Sequence, residues 1–504
     1  MDLLLGIDVG TTSVKAGLFE PDGHCRAIAR QEYCIDTPAV DRAELDAEIY
    51  WQACISTVKQ VIKESGADPT QVVALGVSSQ GETLICVDSQ GQPLYPALIW
   101  LDNRATSQAK DLSAQFSSQV YEMTGIPEII ATWTACKIQW LRENEPEIYK
   151  KVGKFLLVQD FLVYRLTGKF ITNGSIACTT LYFDILHNSW WQPVLDAIGI
   201  SPQQLPELSS PGAIVGNLAP PAAEQLGLPS TVKVVACGMD QSVGAIGAGN
   251  IHPGKFSETT GAALTIQVSV SDPGMDKNKV IPVYFHSIPD QYLLVPVCPT
   301  AGMAYKWFRD AFCLPEIEQA KKEGSDSYDL ITHLAESIPA GSDGLIMLPH
   351  LMGAFSPTPN SAARGSFTGF TLTHTRGHFV RAVLEGVAFL LKRNLDVIQQ
   401  AGLEIHEIRS TGGGARSSLW NQIKANVCNL PVITLENEDT ALLGDAILAG
   451  VACRIFQDIL QGCQRMVVLK DTFVPNGDVD AYVKAYQRYC NLDQSLDEYY
   501  KRNF

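Results

Sequence analysis

The hydrophobic pattern at the start of the chain consists of two mainly apolar segments separated by a short polar turn. Residues 3–23 contain an apolar segment, a Gly-Thr-Thr turn, a second apolar segment and a Pro-Asp-Gly turn. This order predicts two β-strands joined as a hairpin with a polar tip. Residues 44–64 show the 3.6-residue period of an amphipathic helix, and the short apolar segments after it predict buried strands. The pattern therefore predicts a mixed α/β fold.

A second hairpin is predicted near the middle of the chain. Residues 205–221 are rich in Pro and Gly without a sustained period, which predicts a loop. Residues 232–238 predict a strand, residues 240–249 a helix, and residues 255–270 two strands around a Thr-rich Gly turn. The two hairpins lie about 250 residues apart, which favours a duplicated domain over a short-period repeat.

The remainder of the chain predicts a helix, a strand, a glycine loop and another helix. Residues 377–400 have a long amphipathic pattern, residues 407–411 a strand pattern, and residues 417–429 a further helical pattern. A glycine triplet separates the last two and predicts a loop. Residues after about 456 are predicted to form a helical tail.

The length of the chain favours more than one domain. A chain of 504 residues exceeds what a single hydrophobic core usually supports. We therefore expect one domain over residues 1–245, a second over residues 246–504, and a cleft between them.

The charge balance excludes some classes of partner. Lys and Arg number 38 against 54 Asp and Glu, so the formal net charge is −16. This charge repels nucleic acid and anionic membrane surfaces, so a nucleotide would have to be held by backbone amides, helix N-termini and a metal ion. The 13 cysteines show no C-x-x-C spacing, and we find no secretory signal and no apolar segment of the ~18 residues that a membrane span needs. We therefore expect a cytoplasmic protein with no nucleic-acid or membrane partner.

The tip of the first hairpin has the groups that a triphosphate needs. Residues 8–13 provide successive backbone N–H groups, three hydroxyl groups and the carboxylate of Asp8, which can hold Mg²⁺ directly or through water. An ordinary hairpin turn is the alternative interpretation of this hexapeptide.

The glycine loop at residues 411–415 is a second candidate for binding a nucleotide. Its small residues let the backbone approach a flat ligand, and the following helix N-terminus favours an anion, which suits adenine or an α-phosphate. A plain connection between a strand and a helix is the alternative.

Asp240 lies just after a predicted buried strand, where a carboxylate begins a helix and faces the predicted cleft. A general base could stand at this position. The alternative is an aspartate that only caps the helix.

Two further motifs are poor matches to known sites. Residues 249–256 fit the pattern G-x-x-x-x-G-K but end in Phe256, which has no hydroxyl group for Mg²⁺. His374 and His378 have the spacing of metal ligands on a helix, but Thr375 stands where H-E-x-x-H needs a glutamate. We expect neither motif to be a site.

Taken in order, the motifs resemble the FGGY family of carbohydrate kinases, and the resemblance extends from residue 3 to about residue 455. It implies an α/β fold of two ribonuclease-H-like domains of the actin-like ATPase type around a cleft. It also implies phosphorylation of a sugar hydroxyl, with ATP and Mg²⁺ as cofactors. Besides the first hairpin, the segments that resemble the family are 99–105, 137–152, 160–168, 238–249, 344–353, 369–386 and 410–432.

The resemblance implies roles for particular residues of this sequence. Asp240 would be the catalytic base, and Asp8 would hold the metal ion. The implied sugar contacts are Gln80, Glu82, Trp100, Asp102 and Gln241. The implied nucleotide contacts are Thr11, Thr12, Ser13, Lys15, Thr260, Gly261, Gly302, Lys306, Gly413, Gly414, Ala415 and Ser418.

Departures from the family pattern bear on the substrate. Gly81 and Thr132 replace the arginine and tyrosine that hold glycerol in glycerol kinases, so we do not expect glycerol. The Met-His pair of typical bacterial xylulokinases is also missing at Gln80 and Gly81. A xylulose-like ketopentose is our first expectation, with another ketose, a polyol or a sugar acid as alternatives. A non-enzymatic, nucleotide-gated actin-like protein is the alternative from another class, and a homodimer is common among related kinases.

Overall fold

The computed structural model describes residues 1–274 and 276–504. Two large sheets organise the molecule, each with helices packed on its faces. In the first half of the chain the strands are β1 (Leu3–Val9), β2 (Ser13–Phe19), β3 (Cys25–Glu32), β4 (Glu44–Leu45), β5 (Val72–Ser79), β6 (Ile85–Val87), β7 (Ala97–Leu98), β8 (Lys154–Leu156), β9 (Ile171–Asn173), β10 (Phe183–Asp184), β11 (Ser189–Trp190), β12 (Glu207–Ser209), β13 (Ala213–Asn217) and β14 (Lys233–Met239). The helices there are α1 (Ala47–Ser65), α2 (Thr106–Phe116), α3 (Val120–Thr124), α4 (Thr134–Asn144), α5 (Pro146–Tyr149), α6 (Val158–Thr167), α7 (Gly174–Ala177), α8 (Gln192–Ile198), α9 (Pro220–Leu226) and α10 (Asp240–Gly247).

The second half of the chain contains the other large sheet. Its strands are β15 (Phe256–Thr260), β16 (Leu264–Val270), β17 (Val283–Phe285), β18 (Tyr292–Leu294), β19 (Val297–Cys298), β20 (Ile346–Leu348), β21 (Ser366–Thr368), β22 (Ile408–Thr411), β23 (Val432–Leu435) and β24 (Leu469–Phe473). Its helices are α11 (Gly302–Phe312), α12 (Leu314–Glu323), α13 (Ser327–Glu336), α14 (Arg376–Gln400), α15 (Ser418–Cys428), α16 (Thr440–Ala452), α17 (Ile459–Met466) and α18 (Val479–Asn503).

The two sheets have matching topologies. The first has the order β3-β2-β1-β5-β14-β13, and the second contains the order β18-β16-β15-β22-β23-β24. In both, an antiparallel hairpin is followed by two strands parallel to its first strand and then by an antiparallel edge strand. Both predicted hairpins are confirmed, and each stands at the equivalent place in its sheet, as expected of a duplicated domain.

The edge strands of both sheets were not predicted. The segment 205–221 was predicted to be a loop, which is wrong in part because it contains β12 and β13. The predicted helical tail likewise contains β24 between two helices. An edge strand pairs on one side only, so a short and polar segment can fill this position without a strong apolar pattern.

Helix α16 of the second half packs on the sheet of the first half. Added Cβ atoms at Gly6 and Gly76 would lie 2.3 Å from the carbonyl oxygen of Leu442 and 2.5 Å from that of Asp445. The missing side chains on β1 and β5 therefore let the helix lie directly on the sheet. The buried apolar residues of α10 and α16 form one cluster with β1, β5 and β14, which fixes the two halves against each other.

Among the described residues, no helix is long and apolar enough to cross a membrane.

Candidate active site

The tip of the first hairpin brings two predicted site residues into contact. The indole N–H of Trp100 donates a hydrogen bond of 2.8 Å to the hydroxyl oxygen of Thr11. The turn is closed by a bond of 3.0 Å from the N–H of Gly10 to the carbonyl oxygen of Ser13. Thr12 is exposed and its hydroxyl makes no hydrogen bond with the described residues. The hydroxyl of Thr12 is therefore available to a ligand.

Asp8 and Lys15 face each other across the same hairpin, where they are register partners. Burial raises the pKa of Asp8 to about 6, an effect that Lys15 opposes and Asp439 reinforces. One carboxylate oxygen of Asp8, Oδ1, is sealed from solvent and has no hydrogen-bond partner. The ammonium of Lys15 forms an ion pair with Asp439, which precedes α16. The first hairpin is thereby linked to the second half of the chain.

The second hairpin holds its polar groups in an internal network. Lys424 and Glu258 form a fully buried ion pair of 2.6 Å. The hydroxyl of Thr260 donates to Glu258 at 2.6 Å and accepts from the ammonium of Lys424 at 3.0 Å. Ser410, on β22, also donates to Glu258. Thr260 is 1% exposed, so its hydroxyl is used inside the protein.

Glycines allow three backbone segments to meet at this hairpin. The N–H of Gly302, the first residue of α11, donates to the carbonyl oxygen of Gly261 at 3.0 Å, and an added Cβ there would lie 2.3 Å from that oxygen. An added Cβ at Gly414 would lie 2.5 Å from the side chain of Thr260. At Gly413 an added Cβ would meet no atom within 4 Å. The hairpin, the glycine loop and the start of α11 therefore converge, with Gly413 facing open space.

The other predicted nucleotide residues lie around this convergence. Ser418 is the first residue of α15, whose N-cap is Ser417. Ala415 and Ser418 line a cavity of about 110 Å³ between the glycine loop and strands β23 and β24. Lys306 is exposed on α11 and pairs with Asp310 at 2.6 Å.

Asp240 is the first residue of α10, directly after strand β14. The N-cap is Met239, so the interpretation of Asp240 as the capping residue is wrong. Its Oδ1 accepts a hydrogen bond of 2.7 Å from the backbone N–H of Gln241. Burial raises its pKa well above the ordinary value, and the negative charges of Asp8 and Glu82 add to this effect. Asp240 is therefore an unusually good proton acceptor for a carboxylate.

Gln241 and Gln80 differ in how far their side chains are available. The side-chain amide of Gln241 makes no hydrogen bond with the described residues and is partly exposed. That of Gln80 is 4% exposed and donates to the hydroxyl of Tyr50 at 3.2 Å. Gln241 can bind a ligand in this conformation, whereas the buried side-chain amide of Gln80 is bound to Tyr50.

Glu82 is held in a left-handed backbone conformation, with φ of 56°. Its N–H donates to the hydroxyl of Thr179 at 3.1 Å, and its carbonyl oxygen accepts from the ammonium of Lys137 at 3.0 Å. Burial raises the pKa of the Glu82 carboxyl to about 7, against the effect of Lys137. The backbone around Glu82 is thus fixed from two sides.

Lys137 is a residue of this site that sequence reasoning missed. It is fully buried on α4, and its ammonium donates to the carbonyl oxygens of Glu82, Leu98 and Ile99. The sequence did contain a sign of this role, because Lys137 stands among the apolar positions that form the buried face of α4. Lys137 ties the Glu82 loop to the strand that precedes Trp100.

Asp102 is fully buried and its carboxylate is fully engaged. Arg104 binds it through two nitrogen atoms, at 2.8 Å and 2.7 Å, and the N–H of Ala43 donates to it at 2.8 Å. In this structure the carboxylate therefore contacts Arg104 rather than the cleft. A sugar contact of Asp102 stays a prediction.

The structure shows the surroundings of the two motifs that were not expected to be sites. Residues 249–256 connect a helix to a strand, which is the reverse of the order in a P-loop. The rings of His374 and His378 are 5.0 Å apart. Within residues 1–274 and 276–504, no group of three or more His, Cys, Asp or Glu side chains could hold a metal ion.

Comparison with protein families decides what these sheets and motifs belong to. The N-terminal domain of the FGGY family of carbohydrate kinases matches residues 3–247, and its C-terminal domain matches residues 266–453. The chain belongs to the FGGY family of carbohydrate kinases. It is an ATP-dependent enzyme that phosphorylates a sugar, and its mixed α/β fold is that of two actin-like ATPase domains.

Individual FGGY kinases match the chain over nearly its whole length. Xylulose kinase of Bacillus subtilis (strain 168) is 30% identical over 493 residues, which cover 98% of this chain and 97% of that protein. Gluconokinase of the same organism is 30% identical over 453 residues, covering 88% and 86%. The crystal structure of the ligand-bound xylulose kinase from Lactobacillus acidophilus superimposes with a TM-score of 0.90 at 26% identity and covers 100% of both chains.

Proposed function

We propose that this FGGY kinase transfers the γ-phosphate of ATP to a hydroxyl of a xylulose-like ketopentose. The observation on which the proposal rests is Asp240, a carboxylate of raised pKa at the start of α10. Beside it, the side chain of Gln241 has no partner within the described part of the chain. The similarity to xylulose kinases along 98% of the chain supports the substrate.

Asp240 acts as the general base. Its carboxylate accepts the proton of the sugar hydroxyl while the sugar oxygen forms a bond to the γ-phosphorus. The bond from that phosphorus to the oxygen bridging the β- and γ-phosphates breaks, and ADP leaves with the electron pair. The proton is then on Asp240 and the phosphoryl group is on the sugar.

ATP lies between the two hairpins in this proposal. The hydroxyls and backbone of the first hairpin contact the phosphates, and the glycine loop, α11 and the second hairpin hold the rest of the nucleotide. The proposed nucleotide contacts are Thr11, Thr12, Ser13, Lys15, Thr260, Gly261, Gly302, Lys306, Gly413, Gly414, Ala415 and Ser418.

Mg²⁺ is proposed to accompany ATP. The other carboxylate oxygen of Asp8, Oδ2, accepts no hydrogen bond from the described residues and is not among the atoms sealed from solvent, and such an oxygen fits a hard cation, directly or through water. The ion would supply positive charge at the β- and γ-phosphates.

The sugar is proposed to bind beside Asp240, against residues of the first half. Gln241 and Glu82 offer hydrogen-bonding groups, and Trp100 offers an exposed indole face next to the first hairpin. Gln80 and Asp102 are also proposed to line this pocket, although in this structure their side chains are bound to Tyr50 and Arg104.

Gluconate is the second candidate substrate, since a gluconokinase is also 30% identical. The charges of the site favour the neutral ketose. The charges of Asp8 and Glu82 both act to raise the pKa of Asp240, and the ammonium of Lys137 is already bound to three carbonyl oxygens. A sugar carboxylate would meet this negative potential without a free cation from these residues.

A coupled assay of ADP release separates the candidates. The enzyme should be measured with xylulose, ribulose, fructose, gluconate and glycerol at equal concentrations with Mg²⁺ and ATP. We expect kcat/KM to be highest for a ketopentose. A higher kcat/KM for gluconate would overturn the assignment of the substrate and leave that of the kinase class intact.

Asp240→Asn tests the proposed base. General-base catalysis typically contributes ~10²–10⁴-fold, so kcat should fall by about that factor. In the wild-type enzyme kcat/KM should fall as the pH is lowered through the raised pKa of Asp240, because the base works only when it is deprotonated. This acidic loss should therefore begin at a higher pH than the ordinary value of 3.8 would give.

A matched control for this variant is Asp68→Asn, since Asp68 caps the short helical turn Pro69–Gln71 before β5, at the opposite end of that strand from Gln80. Asparagine caps a helix about as well as aspartate, so this control should keep both activity and thermal stability. If Asp240→Asn behaves like the control, Asp240 has no part in the chemistry.

We infer a cytoplasmic location, which the thirteen free cysteines support because they fit a reducing compartment. A homodimer stays a prediction that analytical ultracentrifugation can test.

A further inference from the structure

Residues 281–287 belong to the second half of the chain but are bound to the first half. The N–H of Val283 donates to the carbonyl oxygen of Gly125 at 2.9 Å. The hydroxyl of Tyr121 donates to the carbonyl oxygen of Ile281 at 2.9 Å. At the other end, the hydroxyl of Ser287 donates to the carbonyl oxygen of Cys237 at 2.8 Å. The segment is thus fixed to the sugar-binding half on both sides of Tyr284.

Tyr284 lies between the Glu82 loop and the start of α10. Strand β17, which contains Tyr284, packs against the turn at residues 178–180. The hydroxyl of Thr179 in that turn accepts the N–H of Glu82. Ser287 packs against Gly238, since a Cβ atom added at Gly238 would lie 2.6 Å from the hydroxyl oxygen of Ser287. Gly238 precedes Asp240 by two residues, so Tyr284 is placed between two parts of the proposed sugar site.

The hydroxyl of Tyr284 has no partner among residues 1–274 and 276–504, although the residue is only 8% exposed. Tyr489, in α18, also has an unpartnered hydroxyl, but that one is sealed from solvent. The hydroxyl of Tyr284 is not among the sealed atoms. A nearly buried hydroxyl that is unpaired and still reachable can be satisfied by a ligand.

The electrostatic surroundings keep this hydroxyl protonated. Burial raises the pKa of Tyr284 well above its ordinary value, and the negative charges of Glu82 and Asp240 raise it further. A protonated phenol can donate a hydrogen bond, whereas ionised Glu82 and Asp240 can only accept one. Tyr284 is therefore a hydrogen-bond donor that does not depend on the protonation of the site carboxylates.

We propose that the hydroxyl of Tyr284 donates a hydrogen bond to an oxygen of the bound sugar and contributes to the choice of substrate. This inference rests on the proposed function, since it takes the space beside Asp240 as the sugar site. The proposed ligand is a neutral sugar. One of its oxygens accepts the hydrogen bond from Tyr284, on the other side of the sugar from the Glu82 and Asp240 carboxylates.

Tyr284→Phe tests the inference, because phenylalanine keeps the ring and removes only the hydroxyl. We expect KM for xylulose, or for whichever sugar the wild-type enzyme phosphorylates best, to rise by about 5- to 30-fold. KM for ATP and the melting temperature should stay at the wild-type values. Tyr489→Phe is the matched control, since it removes an unpartnered buried hydroxyl elsewhere, and its kinetic constants should not change.

Deoxy analogues of the sugar show whether the contact is direct. Removing the sugar oxygen that Tyr284 binds should lower kcat/KM of the wild-type enzyme and have little further effect on Tyr284→Phe. An unchanged KM for the sugar in Tyr284→Phe would overturn the proposal. So would a result in which every deoxy analogue lowers kcat/KM of Tyr284→Phe by the same factor as it lowers that of the wild type. The substrate screen on the wild-type enzyme is independent of this test. If the screen identifies a different preferred sugar, the substrate assignment changes, and Tyr284→Phe is then measured with that sugar.

Discussion

The first hairpin, β1 and β2, and the second hairpin, β15 and β16, occupy equivalent positions in their sheets but use their polar groups differently. In the first, the hydroxyl of Thr12 and the carboxylate oxygen Oδ2 of Asp8 have no partner within the described residues and are not sealed from solvent. In the second, the hydroxyl of Thr260 is bound by both Glu258 and Lys424. The duplicated motif therefore has one hairpin with free side chains and one whose side chains are satisfied internally.

This difference assigns different tasks to the two hairpins in the proposed kinase. A hairpin with unpaired oxygens can bind phosphates and a cation through its side chains. A hairpin whose side chains are paired contributes backbone groups and a fixed shape, and Gly261 and Gly302 meet at its tip. Preorganised groups of this kind are what phosphoryl transfer needs, because it depends on positioning and on charge stabilisation.

The largest expected effect is on the buried pair of the second hairpin. Lys424→Met removes the cation and leaves Glu258 buried without its charge partner. We expect a loss of about 3–5 kcal/mol in the free energy of unfolding. Urea unfolding measures this loss, and the double variant Lys424→Met/Glu258→Gln should recover part of it because no charge is then left unpaired.

An exposed ion pair provides the control for this prediction. Lys501 and Asp497 form an i,i+4 pair of 2.7 Å on α18, largely in contact with solvent. Lys501→Met should cost less than about 1 kcal/mol. If Lys424→Met costs no more than this control, the buried network does not stabilise the second hairpin.

The sequence was sufficient to predict the architecture, since each hairpin has two apolar segments around a Gly and Thr turn. The long helix α14 and the glycine loop were also predictable, because their patterns are local. The strands β13 and β24 were not, because short edge strands are selected by pairing with a neighbour rather than by their own apolar pattern.

The contacts within the site were less predictable than its members. Lys424 and Thr260 are 164 residues apart in the chain, so no local pattern could show that the lysine uses the hydroxyl of Thr260. Asp102 and Arg104 are only two residues apart, but whether the guanidinium faces the carboxylate depends on side-chain conformation, which the sequence pattern does not give. Tyr284 lies in a segment without any motif and is brought to the site only by the pairing of residues 281–287 with the first half.

A smaller effect is expected at the first hairpin from Asp8→Asn. Burial raises the pKa of Asp8 to about 6 from 3.8, so the folded protein keeps a proton at pH values where the unfolded chain has released it. The stability of the wild type therefore falls as the pH rises through this window, and the cost is fully present above pH 6. Asp8→Asn should be more stable than the wild type by about 1–2 kcal/mol at pH 8, because it removes a buried charge, and less active because it removes the proposed cation ligand.

The pH dependence separates this explanation from a general effect of charge. The advantage of Asp8→Asn should shrink as the pH is lowered and vanish below the ordinary pKa of 3.8, where Asp8 is protonated in both states. Asp2→Asn is a suitable control, since Asp2 is exposed next to the same strand. Urea midpoints across this range, at one ionic strength, measure the difference. An advantage of equal size at every pH would contradict the charge explanation.

The most direct comparison of the two hairpins uses one threonine from each. Thr12→Val should weaken the binding of Mg²⁺-ATP by about 1–2 kcal/mol and leave the unfolding midpoint unchanged, because the exposed hydroxyl has no partner inside the protein. Thr260→Val should instead lower the free energy of unfolding by about 1–3 kcal/mol, because Glu258 and Lys424 each lose a buried hydrogen bond. Titration calorimetry and urea unfolding on both variants measure the two effects. If Thr260→Val weakens nucleotide binding as much as Thr12→Val does and leaves stability unchanged, the hydroxyls of both hairpins bind phosphate and the proposed division of tasks is wrong.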